Sequence, residues 1–240
     1  MKAKRVALVV GGSGGIGSAV VGKLLAAGME VWATARQVPR TPTTDGARWL
    51  PMDVTNASSV SQGIAAILKA ASAIDVLVYS VSAPLKHIAL LDVEWQDVEV
   101  QLLPQIQGIL HCVAAIKPQL LERTPTRFIL VLSDACIGNP PQGLSHYVAA
   151  KSALLGFAKS MAVELSPFGS TVNCVSPGMV KTELLEHVPA KLIEATTAKN
   201  PLRRLANPEE VASLIGFLAS EAAGYLNGVN IAINGGSVIL

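Results

Sequence analysis

Aromatic side chains, charge and cysteine are all scarce in this chain. Its 240 residues include three Trp, three Tyr and four Phe, so a core must come from Val, Ile, Leu and Ala. Only 15% of the residues are charged, and 19 basic against 17 acidic side chains leave a net charge of +2. That balance excludes the clustered positive charge a nucleic-acid binder needs. Cys112, Cys136 and Cys174 are odd in number, far apart and outside any C-x-x-C. They exclude a disulfide framework and a zinc knuckle, and fit a reducing, cytoplasmic setting. His111 adjoins Cys112, but neighbours on a helix point in different directions, so no metal site is expected. No apolar run approaches the roughly 18 residues of a membrane span, and no membrane partner is expected. Lys2, Lys4 and Arg5 ahead of Val6–Val10 imitate a secretory signal, but the apolar run stops at Gly11, so a buried first strand is expected.

What is abundant is aliphatic surface. Half of the residues are apolar and the mean hydropathy is +0.45, which excludes a disordered chain. Short β-branched runs at Val6–Val10, Val31–Ala35, Val76–Tyr79, Phe128–Leu132, Thr171–Val175 and Val229–Ile233 predict strands, with a weaker one near Trp49–Met52. Helical patterns fall at about Ile16–Ala27, Ser58–Ala71, Trp95–Leu121, Tyr147–Leu165 and Pro208–Ser220. Asn207-Pro208-Glu209-Glu210 starts the last one with an Asn cap, Pro at the first helical position and acids in the first turn. Strands alternating with helices predict an α/β fold: one Rossmann-type doubly wound parallel sheet of about seven strands, flanked by helices on both faces. The reading is one nucleotide-binding domain over 1–240. Pro177–Leu205, rich in Pro, Lys and Glu, reads as irregular, with a substrate lid expected at about 178–205.

Val10-Gly11-Gly12-Ser13-Gly14-Gly15-Ile16-Gly17 joins the first strand to the first helix. Small residues here let the backbone turn sharply and approach a phosphate, while the helix N-terminus supplies N–H groups and a positive dipole end. Gly11, Ser13, Gly14, Gly15, Ile16 and Gly17 are therefore cofactor-binding candidates. The spacing from Gly12 to Gly17 also suits a Walker A loop, but Ser18 stands where that loop needs Lys, which disfavours an NTPase. The second strand closes on Arg36 with no acid before Asp45. A guanidinium there suits a 2′-phosphate, so NADP(H) is the expected cofactor. Asp53, after the third strand, fits either an adenine contact or a helix-capping turn.

Tyr147 and Lys151 are four residues apart, which places phenol and ammonium on one helix face. A nearby ammonium favours phenolate, lowering a pKa that starts at about 10 and suiting the Tyr to proton transfer.

With these elements together the chain resembles the short-chain dehydrogenase/reductase family, especially its ketoreductase-like members, from about Lys4 to Gly236. The likeness spans the glycine turn, Asp53-Val54, Tyr147…Lys151, Val172-Asn173, Pro177-Gly178…Thr182 and Asn234-Gly235-Gly236. It implies Tyr147 as general acid/base at a carbonyl or alcohol, and Lys151 on the nicotinamide ribose. Pro177, Gly178, Val180 and Thr182 would line the nicotinamide pocket. Family members commonly form dimers or tetramers, so a homodimer or homotetramer is implied. Two local features agree: the Tyr147–Leu165 helix is apolar around much of its circumference, and Val238-Ile239-Leu240 forms an apolar tail that a partner would cover.

Several positions depart from the family pattern. Val10 replaces the Thr that opens the turn, losing a hydroxyl. Tyr79-Ser80-Val81-Ser82 replaces Asn-Asn-Ala-Gly, so Ser80 and Val81 keep backbone contacts to cofactor but the bracing amides are gone. Gln105 falls where an Asn supports a proton relay. The family's catalytic Ser lies about thirteen positions before the Tyr, which here is Asp134, with Ser133 one residue earlier. An ionised Asp only accepts and would repel charge developing on the carbonyl oxygen. Three readings stand: Asp134 protonated by burial, a bulge within Ala135–Ser145 that slides Ser133 into place, or a site that binds cofactor without much catalysis. The catalytic set is thus Tyr147, Lys151, Ser133 and Gln105. The expected function is reduction of a ketone or 3-oxoacyl-type carbonyl, or the reverse; the alternative is a weak or inactive NADP-binding scaffold, sensor or partner subunit. Pro84–Leu91, Gly138–His146 and Met179–Leu205 are the expected pocket walls, and His146 either touches substrate or sits at the helix start as a cap or surface residue.

Overall fold

The computed structural model describes residues 4–38, 44–186 and 188–239. Lys2 of the charged N-terminal stretch, residue 187 of the expected lid and Leu240 of the apolar tail lie outside the described residues.

Seven parallel strands form one sheet in the order β3-β2-β1-β4-β5-β6-β7. They are β1 (Val6–Val10), β2 (Glu30–Ala35), β3 (Arg48–Pro51), β4 (Val76–Tyr79), β5 (Arg127–Val131), β6 (Thr171–Pro177) and β7 (Asn230–Ile233). Residues of β1 and β4 are buried on both faces, which is why they read as unbroken apolar runs rather than alternating ones. Edge strand β3 is partly exposed and correspondingly weak in sequence.

Helices α1 (Gly15–Ala26) and α6 (Pro208–Ala219) cover one face, around a core that includes Val9, Val20, Leu24, Val78 and Ile215. Helices α2 (Ala57–Ala71), α3 (Trp95–Leu121) and α4 (Ser145–Leu165) cover the other, around Leu8, Ile64, Leu77, Ile109, Phe128 and Leu154. The start of α6 carries the expected capping box. The Asn207 side chain accepts from the third helical N–H, and Glu210 accepts from the Asn207 N–H at 2.8 Å.

One expectation is corrected. The segment 178–205 is not irregular throughout: α5 spans Ala190–Lys199, preceded by a 3₁₀ turn at Glu183–Leu185. Helix α5 has no buried residue, so it lacks the apolar stripe by which a helix is recognised in sequence.

Candidate active site

The sheet order reverses between β1 and β4, and their carboxyl ends open the crevice where ligands of such sheets bind. The glycine turn follows β1 at this end of the sheet. Gly11 adopts φ +82°, and a Cβ there would fall 2.5 Å from the Ser80 carbonyl oxygen. A Cβ on Gly17 would fall 2.1 Å from the Gly11 oxygen, so the first turn of α1 can nest against the loop only without a side chain. The Gly11 and Gly12 N–H groups both donate to the Thr34 carbonyl, at 3.1 and 2.9 Å. Backbone bonds thus tie the turn to β2, the task a hydroxyl at Val10 would otherwise share. Helix α1 has Gly14 as its N-cap residue, with no side-chain cap and no acid in its first turn, leaving its N–H groups and positive dipole end to an anion.

Beside the turn lies a cavity of about 880 Å³. Of the residues singled out in the sequence, Ile16, Ser80, Val81, Ser133, Tyr147 and Lys151 line it, joined by Pro177, Gly178, Val180 and Thr182 after β6. The expected walls contribute as well, for example Leu85, Leu144 and Leu192. Gln105 stands one hydrogen bond behind the lining. Arg36, Asp53 and Val54 sit beyond the cavity, at the ends of β2 and β3. The exposed Arg36 lies close enough to Asp53 to help hold its carboxyl below the usual range, after the larger effect of Thr55. The Thr55 N–H and hydroxyl donate to Asp53 at 2.9 and 2.7 Å. Asp53 is therefore not the helix cap; Asn56 is, accepting from the Ser59 N–H at 3.0 Å. His111 is spoken for, its Nδ1 lying 2.8 Å from the Val54 carbonyl oxygen. Among the described residues no cluster of three potential metal ligands occurs.

The doubtful Ser position has a geometric answer. Ser133 follows β5 in extended conformation, and Asp134–Cys136 then forms a 3₁₀ turn. The Ser133 hydroxyl lies close enough to the Tyr147 phenol to lower its pKa, and it accepts from the Ala135 N–H at 3.2 Å. Asp134 instead accepts from the Ser237 hydroxyl at 2.8 Å. The loop from there to Ser145 carries Gly143 at φ +74°. Burial raises the Asp134 carboxyl pKa, the direction a protonated Asp134 needs, against the lowering effect of Ser237.

Tyr147 and Lys151 are both buried. Burial pushes the phenol up to about 12, with Ser133 opposing, and brings the Lys151 ammonium down to about 8. The expectation that Lys151 lowers the phenol is thus overturned here. Its Nζ donates to the Val131 carbonyl at 2.9 Å, Gln105 Oε1 at 3.1 Å and the Val81 carbonyl at 3.4 Å. Gln105 completes the frame by donating from Nε2 to the same Val81 carbonyl at 2.9 Å. The bracing amides absent after β4 are replaced too. The fully buried Tyr79 donates its hydroxyl to the Pro104 carbonyl, in space that exists because residue 108 is Gly.

His146 fits neither expectation. It is buried, with Nδ1 left without a hydrogen-bond partner, close to Asp97 and His87, and it does not line the cavity. The tail expectation also changes: Val238 packs over Gly138 of its own chain, where a Cβ would meet it at 2.3 Å. Sequence reading missed the segment after β7, whose Asn234, Ser237, Val238 and Ile239 line the cavity. The cavity contact of Ser237 with Asp134 spans 103 residues and leaves no local trace in sequence.

A family model described as enoyl-(acyl carrier protein) reductase matches residues 11–237. The 3-oxoacyl-[acyl-carrier-protein] reductase of Vibrio cholerae is 32% identical over 244 residues, covering 98% of each chain. That of Synechocystis sp. is 35% identical over 246 residues, covering 98% of this chain and 97% of the relative. Among solved structures, the ribose-5-phosphate isomerase from Brucella melitensis 16M superposes with a TM-score of 0.91 at 26% identity, over 99% of this chain and 93% of that one. The aldohexose dehydrogenase of Thermoplasma acidophilum, at 24% identity and a TM-score of 0.87 over 98% and 94%, shares the fold.

Proposed function

The chain belongs to the short-chain dehydrogenase/reductase family, and we propose that it is an NADP(H)-dependent reductase of a ketone or 3-oxoacyl-type carbonyl, running the reverse oxidation when alcohol is in excess. The meeting of Ser133 and Tyr147 in one cavity, with Lys151 fixed by its own hydrogen bonds, carries this reading. The relatives named as 3-oxoacyl-[acyl-carrier-protein] reductases support the substrate class.

The site's shape suits the nicotinamide cofactor the family implies. The side-chain-free cradle at Gly11 and Gly17 and the uncapped start of α1 would hold its diphosphate. Arg36 would meet a 2′-phosphate, and Asp53 and Val54 the adenine side. Ser80, Val81, Pro177, Gly178, Val180 and Thr182 would flank the ring, and Lys151 the ribose. When bound, the cofactor supplies or accepts the hydride. Tyr147 then gives its proton to the carbonyl oxygen, while Ser133 donates a hydrogen bond to the same atom and holds it against the phenol. A phenol kept protonated by burial is in the correct state to act as the acid, which favours reduction. Lys151, steadied by Gln105, would hold the cofactor's ribose in place for that transfer.

The same reading treats 1–240 as one domain, places it in the cytoplasm and makes α5 part of a lid over the substrate. No helix among the described residues is long and apolar enough to cross a membrane. Assembly into a dimer or tetramer is supported by Val100, Leu103 and Leu110 on α3 and Val163 on α4, all exposed and apolar. Light scattering well above 25 kDa is expected, and a 25 kDa species at micromolar concentration contradicts it.

Turnover of NADPH against ketones, diketones and 3-oxoacyl thioesters tests the proposal. Reduction of at least one class is expected. Tight NADPH binding without reduction of any of them would make the chain a cofactor-binding scaffold instead.

A further inference from the structure

Asp134 occupies the place where the family resemblance leads one to look for a hydroxyl, yet its side chain is engaged elsewhere. Its Oδ2 accepts from the Ser237 hydroxyl at 2.8 Å and sits beside Gly178, where an added Cβ would approach it to 3.3 Å. One residue on, Val238 is seated over Gly138 so closely that any side chain there would collide with it. At its other end the same segment is tied to the close of the lid: Asn200 Nδ2 donates to the Asn234 carbonyl at 2.8 Å. Inside the segment, Asn234 Oδ1 accepts from the Gly236 N–H at 3.1 Å, with Gly235 and Gly236 both at positive φ. Residues 234–239 are thus a shaped strap held at two points, one on the loop that carries Ser133 and one on the lid.

We propose that Asp134 is a positioning residue that clasps this strap through Ser237, so that Val238 and Ile239 form the substrate-side wall and set which carbonyl compounds fit. The specificity half of this proposal rests on the reductase reading above. Asp134 acts through Ser237 on the wall, while the proton transfer belongs to Ser133 and Tyr147, whose phenol feels Asp134 only as the last and smallest of the influences on its pKa. The apolar wall shares the cavity with Leu184, Leu185 and Leu192 of the lid region. It therefore selects on the alkyl part of a substrate and leaves the carbonyl to Ser133 and Tyr147.

Three variants test the clasp. Asp134→Ala and Ser237→Ala each remove one partner; Gly138→Val evicts Val238 without touching a polar group. Hydrogen–deuterium exchange at the amides of 234–239 should speed up about tenfold or more in each, through loss of the hydrogen bond in the first two and through loss of the Val238 seat in the third. Asp134→Asn keeps an acceptor and should stay near wild type. With 3-oxoacyl thioesters of increasing chain length, KM should rise about tenfold for the best wild-type substrate and the preferred length should shift upward, while kcat stays within about threefold. Unchanged exchange in all three variants would overturn the clasp. A fall in kcat at constant KM and constant chain-length preference would overturn the positioning role and make Asp134 a participant in the chemistry. Should the wild-type chain reduce no carbonyl at all, the reductase reading fails, while the exchange rates still decide whether the clasp exists.

Discussion

Gln105 and Lys151 form a fixed pair: the Gln105 Oε1 accepts from the buried ammonium at 3.1 Å, and its Nε2 is anchored to Val81 at 2.9 Å. A longer amide thus reaches Lys151 from α3 and pins it between β4 and β5. Gln105→Leu removes an acceptor from a buried charge, so kcat/KM should fall about ten- to a hundredfold, with the larger part in kcat. The Lys151 pKa of about 8 gives the pH signature. Its positive charge is present below that value and lost as pH rises through it, so reduction should decline above about pH 8. In Gln105→Leu the decline should move to lower pH, because one interaction favouring the charged form is gone. A pH–rate profile unchanged by the substitution would count against this role.

Cofactor choice rests on Arg36. Replacing it in Arg36→Asp should weaken NADPH binding about ten- to a hundredfold while barely affecting NADH, the loss expected for paired charge-assisted contacts to a 2′-phosphate. Fluorescence titration of both nucleotides measures this. Wild-type protein that binds NADH as tightly as NADPH would contradict the assignment.

The fold depends on a steric match at Gly108. A Cβ there would lie 2.1 Å from the Tyr79 hydroxyl oxygen and 3.0 Å from Val54. Gly108→Ala should therefore destabilise the protein by about 1–3 kcal/mol, seen as a Tm lower by several degrees. Removing the hydroxyl in Tyr79→Phe should recover part of the loss in the double variant, and strictly additive losses would show that the two residues do not compete for this space.

The sheet and its main helices were legible because buried parallel strands must be apolar on both faces, as Val6–Val10 and Val76–Tyr79 are. Helix α5 was not, since an exposed helix carries no stripe to read. Tyr147 and Lys151 were legible from their spacing. The choice between Ser133 and Asp134 was not, because it turns on one 3₁₀ turn and on a contact with Ser237 across 103 residues. The raised phenol pKa was hidden for a similar reason. Spacing places a Lys near a Tyr, but only the packed structure shows that the ammonium is spent on Val131 and Gln105, leaving burial to dominate.

The most direct test of the Tyr-centred chemistry is single-turnover NADPH oxidation by Tyr147→Phe and Ser133→Ala beside the wild type. Removing either hydroxyl leaves the packing of the cavity largely intact, and each should slow the chemical step about a hundredfold or more with NADPH affinity within about threefold. Full turnover in both variants would contradict the account, since neither the proton donor nor the neighbouring hydroxyl would then be needed.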